Sequence, residues 1–153
     1  LAALNTGVRR ALDPTSSPPE GNIAEDTEGP LWYRGLATGD ETALSAHVDS
    51  VLRMLGVSHV AIGHTVTPGA VLPRFGGRVI MVDVGMSAVY GGPPAALVVE
   101  GGAAYALHRG TRIPLPLGGD LLPYLKAAAA LDPPGSRLRA YVDGLTAATV
   151  PVR

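Results

Sequence analysis

Cysteine is absent from this 153-residue chain. Disulfide scaffolds, zinc–thiolate sites, iron–sulfur clusters and a cysteine nucleophile are therefore excluded. Aromatics are scarce, with one Trp, one Phe and five Tyr, too few for a stacking platform along single-stranded nucleic acid. Neither sign of charge is in excess. Twelve Lys and Arg stand against 13 Asp and Glu, for a net charge of -1, which leaves no basic footprint for nucleic acid. No uncharged apolar run reaches the roughly 18 residues of a membrane-spanning helix. The opening Leu1-Ala2-Ala3-Leu4 carries its Arg9-Arg10 pair after the apolar stretch, the reverse of a signal peptide. The chain opens on Leu rather than Met, so a processed product or a fragment is expected. The compartment stays open, with the cytoplasm favoured.

What is present suits one domain. The hydrophobic fraction is 46%, and a chain of this length buries roughly 70% of its unfolded surface. Twenty Gly and 14 Pro cluster where they punctuate strands. Leu1, Leu4, Val8 and Leu12 recur at helical spacing, predicting a helix over 1–12. A polar, Pro-rich loop over 13–28 follows, then a strand or tight loop over 29–35. Leu44, Val48, Val51, Leu52 and Leu55 share one helical face. Asp40 or Thr38 would cap that helix, and Gly56 suits its left-handed end.

Downstream, 59–62 reads as a buried strand and 66–75 as loop. Residues 78–84 read as a strand in mid-sheet, because their apolar content is nearly continuous. The runs 95–100 and 103–108 flank Gly101-Gly102, a hairpin signal. Pro114 and Pro116 keep 112–117 at a sheet edge. An Ala-rich helix spans 120–131, stopped by Asp132-Pro133-Pro134-Gly135. Alternation of Leu138, Ala140 and Val142 predicts a strand. Helix–strand order of this kind makes the fold α/β.

The chemistry centres on Gly63-His64-Thr65. A strand delivers His64 at its C-terminal end, where open α/β sheets bind ligands, and imidazole is both a common metal ligand and an acid/base. The bland alternative is a loop histidine bonded to backbone. Arg34 is a candidate phosphate clamp, since a guanidinium matches phosphate bidentately, or a surface arginine beside an aromatic. Tyr90, in a glycine-rich loop, is a candidate hydroxyl donor to substrate, or a packed loop aromatic. Trp32 and Tyr33 read as core or rim packing residues. His47 reads as a solvated helix residue, His59 as a satisfied strand histidine and His108 as exposed at a strand end. Asp83 reads as structural, and Arg74 and Arg78, which flank Gly76-Gly77, as contacts for an anionic substrate or as charged ends of a glycine turn.

These pieces occur in order: Gly29-Pro30-Leu31-Trp32-Tyr33-Arg34-Gly35, the helix into Leu55-Gly56-Val57, Gly63-His64-Thr65, Arg74-Phe75-Gly76-Gly77-Arg78, Val82-Asp83-Val84-Gly85-Met86-Ser87, Tyr90-Gly91-Gly92 and Ala95 to Glu100. The set resembles the C-terminal portion of calcineurin-like metallophosphoesterases, in particular the bacterial relatives of serine/threonine protein phosphatases. The resemblance runs from about Gly29 to Gly110, with a core over 29–118. It implies part of a two-sheet sandwich flanked by helices. It also implies hydrolysis of phosphate esters by metal-bound hydroxide at two divalent ions, Mn, Fe, Zn or Mg. His64 would be a metal ligand, and Arg34 and Tyr90 would bind substrate.

The family's N-terminal ligand motifs, Gly-Asp-x-His-Gly, Gly-Asp-x-x-Asp-Arg-Gly and Gly-Asn-His-Glu, do not occur here. One histidine cannot hold two metals, so the chain alone is expected to be inactive. Its partners would be a phosphate ester, for instance a phosphoprotein, and the missing N-terminal half or a complementing chain. The other readings are a noncatalytic phosphatase-like binding module, or a superfamily member acting on dinucleoside polyphosphates or cyclic nucleotides.

Overall fold

The structure is a computed structural model that describes residues 2–15, 26–29 and 31–148. The predicted loop over 13–28 falls largely outside the described residues, as do Leu1 and residues 149–153. The chain divides into two compact units, the first ending at Asp40 and the second beginning at Glu41.

The first unit holds helix α1, Ala2–Leu12, and the short helix α2, Gly35–Thr38. Before α2 the chain makes a tight loop, in which the Trp32 and Tyr33 amides both donate to the Gly29 carbonyl. Trp32 and Tyr33 are not core residues, being 51% and 36% exposed, which leaves them the rim packing that is the other expectation.

The second unit opens with α3, Glu41–Leu55. Its apolar stripe is the expected one, with Val48 and Leu52 buried, but Leu55 at the helix end is 57% exposed. Gly56 at φ +66 ends it. The Val57 amide donates to Leu52 and the Gly56 amide to Arg53, the paired bonds of a Schellman cap.

Two three-stranded sheets follow. In the first, β3 (Val79–Met81) lies centrally, parallel to β1 (Val60–Ile62) and antiparallel to β2 (Leu72–Arg74). The mid-sheet reading of β3 holds, since all three of its residues are buried. Two readings are corrected. β1 is an edge strand with Ala61 exposed, not a buried one, and β2 forms where loop was expected. Pro73 hid β2 in the sequence. At an edge its missing N–H costs the ladder little.

The second sheet is a meander of β4 (Ala95–Glu100), β5 (Ala103–His108) and β6 (Thr111–Pro114). The β4–β5 hairpin turns through Gly101 and Gly102 at φ +59 and +78, the primed geometry that matches strand twist. Helix α4, Leu122–Ala130, ends near the expected stop.

The C-terminal strand expectation is corrected: Arg137–Ala148 is a helix, α5. Leu138, Val142 and Leu145 recur at i, i+4 and i+7, and the first two are buried. Both sheets, α4 and α5 contribute to one core that includes Val71, Ile80, Ala106, Leu125 and Leu138. The architecture is mixed α/β. No helix among the described residues is long and apolar enough to cross a membrane.

Candidate functional site

Strands β1 and β3 run parallel, so their C-terminal ends open on the same side of the sheet. Each end leads into a loop that carries chemistry: 63–69 after β1, and 82–92 after β3. The two loops are laced together. The Val82 amide donates to Ile62, and the Thr67 amide to Asp83 at 2.8 Å. Asp83 is a turn former here, its Oδ1 accepting from the Gly85 amide at 3.0 Å. That agrees with its structural reading, although it lies just past the strand.

His64 sits in the first loop, exposed, with φ +65. The left-handed region is uncommon for a residue with a Cβ and costs roughly 1–2 kcal/mol. Beside it the Thr65 hydroxyl is buried without a hydrogen-bond partner. Tyr90 sits in the second loop, 55% exposed beside exposed Met86 and Val89. The Gly92 amide closes this loop onto the Gly85 carbonyl at 2.7 Å. Gly85 is obligatory. A Cβ there would lie 2.7 Å from Val66 and 2.8 Å from Tyr90, at a φ of +70.

The same point shows a residue that the sequence reading missed. Arg137, at the start of α5, lies beside Gly85. Its Nη2 donates to the Thr67 carbonyl at 3.4 Å and the Val84 carbonyl at 3.5 Å. One guanidinium thus ties both loops. A strand reading of 138–142 gave no reason to expect an arginine there.

Arg34 belongs to the first unit. Its Nη1 donates to the carbonyls of Leu31 and Tyr33, at 3.2 and 3.3 Å. Its guanidinium lies 5.9 Å from the Trp32 ring centre. His59 is satisfied as expected, with Nδ1 2.9 Å from the Gly77 carbonyl. His47 is exposed on α3. Arg74 and Arg78 are not idle turn ends. They strap α3 to the β2–β3 connection through Glu41, at 3.0 Å, and through Asp49 and Ser45.

His108 is the largest correction. Expected at the surface, it is fully buried and bonded to Asp132. Asp132 in turn accepts from Arg109 Nε at 2.6 Å. Burial works to raise the Asp132 pKa, but bonds and charge from Arg109 and His108 outweigh it and hold the carboxyl below the usual range. Among the described residues no group of three or more His, Asp or Glu side chains could hold a metal ion. The described residues thus form no two-metal centre by themselves.

No family model matches the chain. It is similar to solved structures of one class, the protein tyrosine phosphatases. One of them is a cold-active protein tyrosine phosphatase of a psychrophilic Shewanella. Its structure aligns with a TM-score of 0.52 at 33% identity, over 61% of this chain and 27% of that one. A point mutant of the same phosphatase aligns equally well. Among curated proteins, an uncharacterized protein of Schizosaccharomyces pombe is 34% identical over 73 residues, 48% of this chain and 22% of that protein. The chain thus spans about a quarter or less of the relatives it matches. Over the aligned segment its fold is phosphatase-like.

Proposed function

We propose that this chain is the C-terminal portion of a calcineurin-like metallophosphoesterase, and that the whole protein hydrolyses phosphomonoesters on serine, threonine or tyrosine. The observation that carries the phosphatase part of this reading is the 33% identity to a protein tyrosine phosphatase at a TM-score of 0.52. The ordered motifs from Gly29 to Glu100 support the metal-dependent type, and the two sheets would be part of its sandwich.

In this reading His64 supplies one imidazole to a centre whose other ligands come from outside this chain. Its exposed position at the mouth of β1 suits that task. Tyr90 would offer its hydroxyl to the phosphate, and Arg34, in the other unit, keeps the substrate role that the resemblance implies for it. Arg137 holds the loops of His64 and Tyr90 in register. No chemical step is assigned to this chain alone, since one histidine cannot assemble the metal pair.

The test compares this chain with a longer polypeptide that carries it. The longer protein is expected to bind about two equivalents of Mn, Fe or Zn and to hydrolyse p-nitrophenyl phosphate. His64→Ala should lower both metal content and turnover, while this chain alone shows neither. Turnover that survives chelation, or metal content untouched by His64→Ala, overturns the metal-dependent reading. A longer protein with neither metal nor turnover is a noncatalytic phosphatase-like module.

A further inference from the structure

A second concave site lies beside the loop of Tyr90, and its lining includes none of His64, Arg34 or Tyr90. Its volume is about 190 Å³, room for several water-sized groups. Four segments distant in sequence meet there: Pro68-Gly69, Gly91 to Pro93, Arg109 at the β5–β6 turn, and Asp132 to Leu138.

The lining holds two arginines, Arg109 and Arg137, and one carboxylate, Asp132. Arg109 is fixed by its backbone, at φ +47 in the hairpin turn, and by its bond from Nε to Asp132. Asp132 Oδ1 also takes the bond from His108, so that oxygen already serves two donors. Asp132 is 3% exposed, and its Oδ2 is buried without a partner. Arg137 is held through Nη2. The bonds described engage Nε of one guanidinium and Nη2 of the other, and each planar fork has further N–H groups.

The backbone adds to this field. Helix α5 begins at Arg137 and is 12 residues long. Ser136 Oγ caps the Arg139 amide at 3.2 Å. The Arg137 and Leu138 amides precede the first intrahelical bonds, and such groups favour anions. Pro68, Pro93, Pro133 and Pro134 stiffen the wall, so little ordering opposes binding.

We propose that this pocket binds a phosphate-class oxyanion between Arg109 and Arg137. The proposal does not rest on the phosphatase reading. Two forks in one pocket match a tetrahedral anion with several acceptor oxygens. The source is either inorganic phosphate or a phosphorylated side chain.

The test is an amide NMR titration of this chain with inorganic phosphate, and separately with phenyl phosphate, at constant ionic strength. The expected result is saturable shifts at Gly69, Gly91, Gly135 and Leu138, with a Kd of about 1 mM or tighter. Arg137→Gln, which leaves the Arg109–Asp132 pair in place but loses the bonds to Thr67 and Val84, should weaken binding at least about fivefold in a chain that still folds, and Arg137→Lys, which keeps the charge, should lose less. Arg109→Lys, which keeps the charge and loses the fork, should also weaken it. Tighter binding of phenyl phosphate than of phosphate supports a phosphorylated side chain as the ligand, and the reverse supports free phosphate. Shifts that fail to saturate with either probe, or an affinity unchanged in Arg137→Gln, overturn the proposal.

Discussion

His108 Nε2 donates to Asp132 Oδ1 at 2.9 Å, with both side chains at most 1% exposed. The carboxylate can only accept, which fixes the proton on Nε2. The pair joins the end of β5 to the turn after α4, across 24 residues of sequence. Arg109 completes it from the hairpin turn.

Removing the charge of Asp132 should therefore be costly. Asp132→Asn leaves Arg109 without its anion and is expected to destabilise the fold by about 3 kcal/mol at neutral pH. The folded carboxyl titrates below its unfolded value of about 3.9. Its contribution is complete above that value and is lost as pH falls through the folded pKa. Urea unfolding across pH 2–7 should show the gap between wild type and variant closing below about pH 4. A gap that is constant across that range would show that the charge is not what stabilises the turn.

Local pattern carried much of this fold. The stripe of Val48 and Leu52, the cap at Gly56 and the Gly101-Gly102 turn were legible because each depends on neighbours within a few residues. The position of His64 just past β1 was legible for the same reason, as a Gly-His pair after a short β-branched run. What escaped depends on distant partners. His108 is buried because Asp132 waits 24 residues on. Arg137 reaches loops 53 and 70 residues back. Strand β2 forms around Pro73 because β3 supplies its one neighbour. Helix α5 was mistaken for a strand because Leu138, Ala140 and Val142 fit a two-residue period as well as a helical one.

Tyr124 anchors α4 to Val71, the residue just before β2. Its hydroxyl donates to the Val71 carbonyl at 2.7 Å, and burial pushes the phenol pKa well above its ordinary value. Tyr124→Phe leaves that carbonyl unpaired and should cost about 1–2 kcal/mol. A phenol raised on folding stabilises most below its unfolded pKa of about 10, and the contribution fades as pH rises past it. The difference in unfolding free energy should thus shrink above about pH 10. A difference that grows there would contradict the burial argument.

Adjacent glycines separate strain from collision. Gly76 and Gly77 both have positive φ, +64 and +88. A Cβ on Gly76 meets nothing within 4 Å, whereas one on Gly77 comes within 2.5 Å of Leu117 Cα. Gly76→Ala should cost about 1 kcal/mol, from backbone conformation alone. Gly77→Ala should cost about 3 kcal/mol, because a backbone must also move. Thermal denaturation distinguishes them, at roughly 2–4 °C per kcal/mol for a chain of this size. Equal shifts would mean that Leu117 yields freely.

At His64 the proposed ligand role and the stability of the fold pull in opposite directions. Its side chain is exposed while its backbone sits at φ +65, so folding gains little from the imidazole and bears a left-handed residue. Strain of this kind persists where a site needs it. His64→Gly relieves the conformation and should raise stability by about 1 kcal/mol, or roughly 2–4 °C in Tm. In the longer protein the same change should remove metal and turnover, because the proposed ligand is gone. A variant that is both less stable and fully active would show that His64 serves the fold alone.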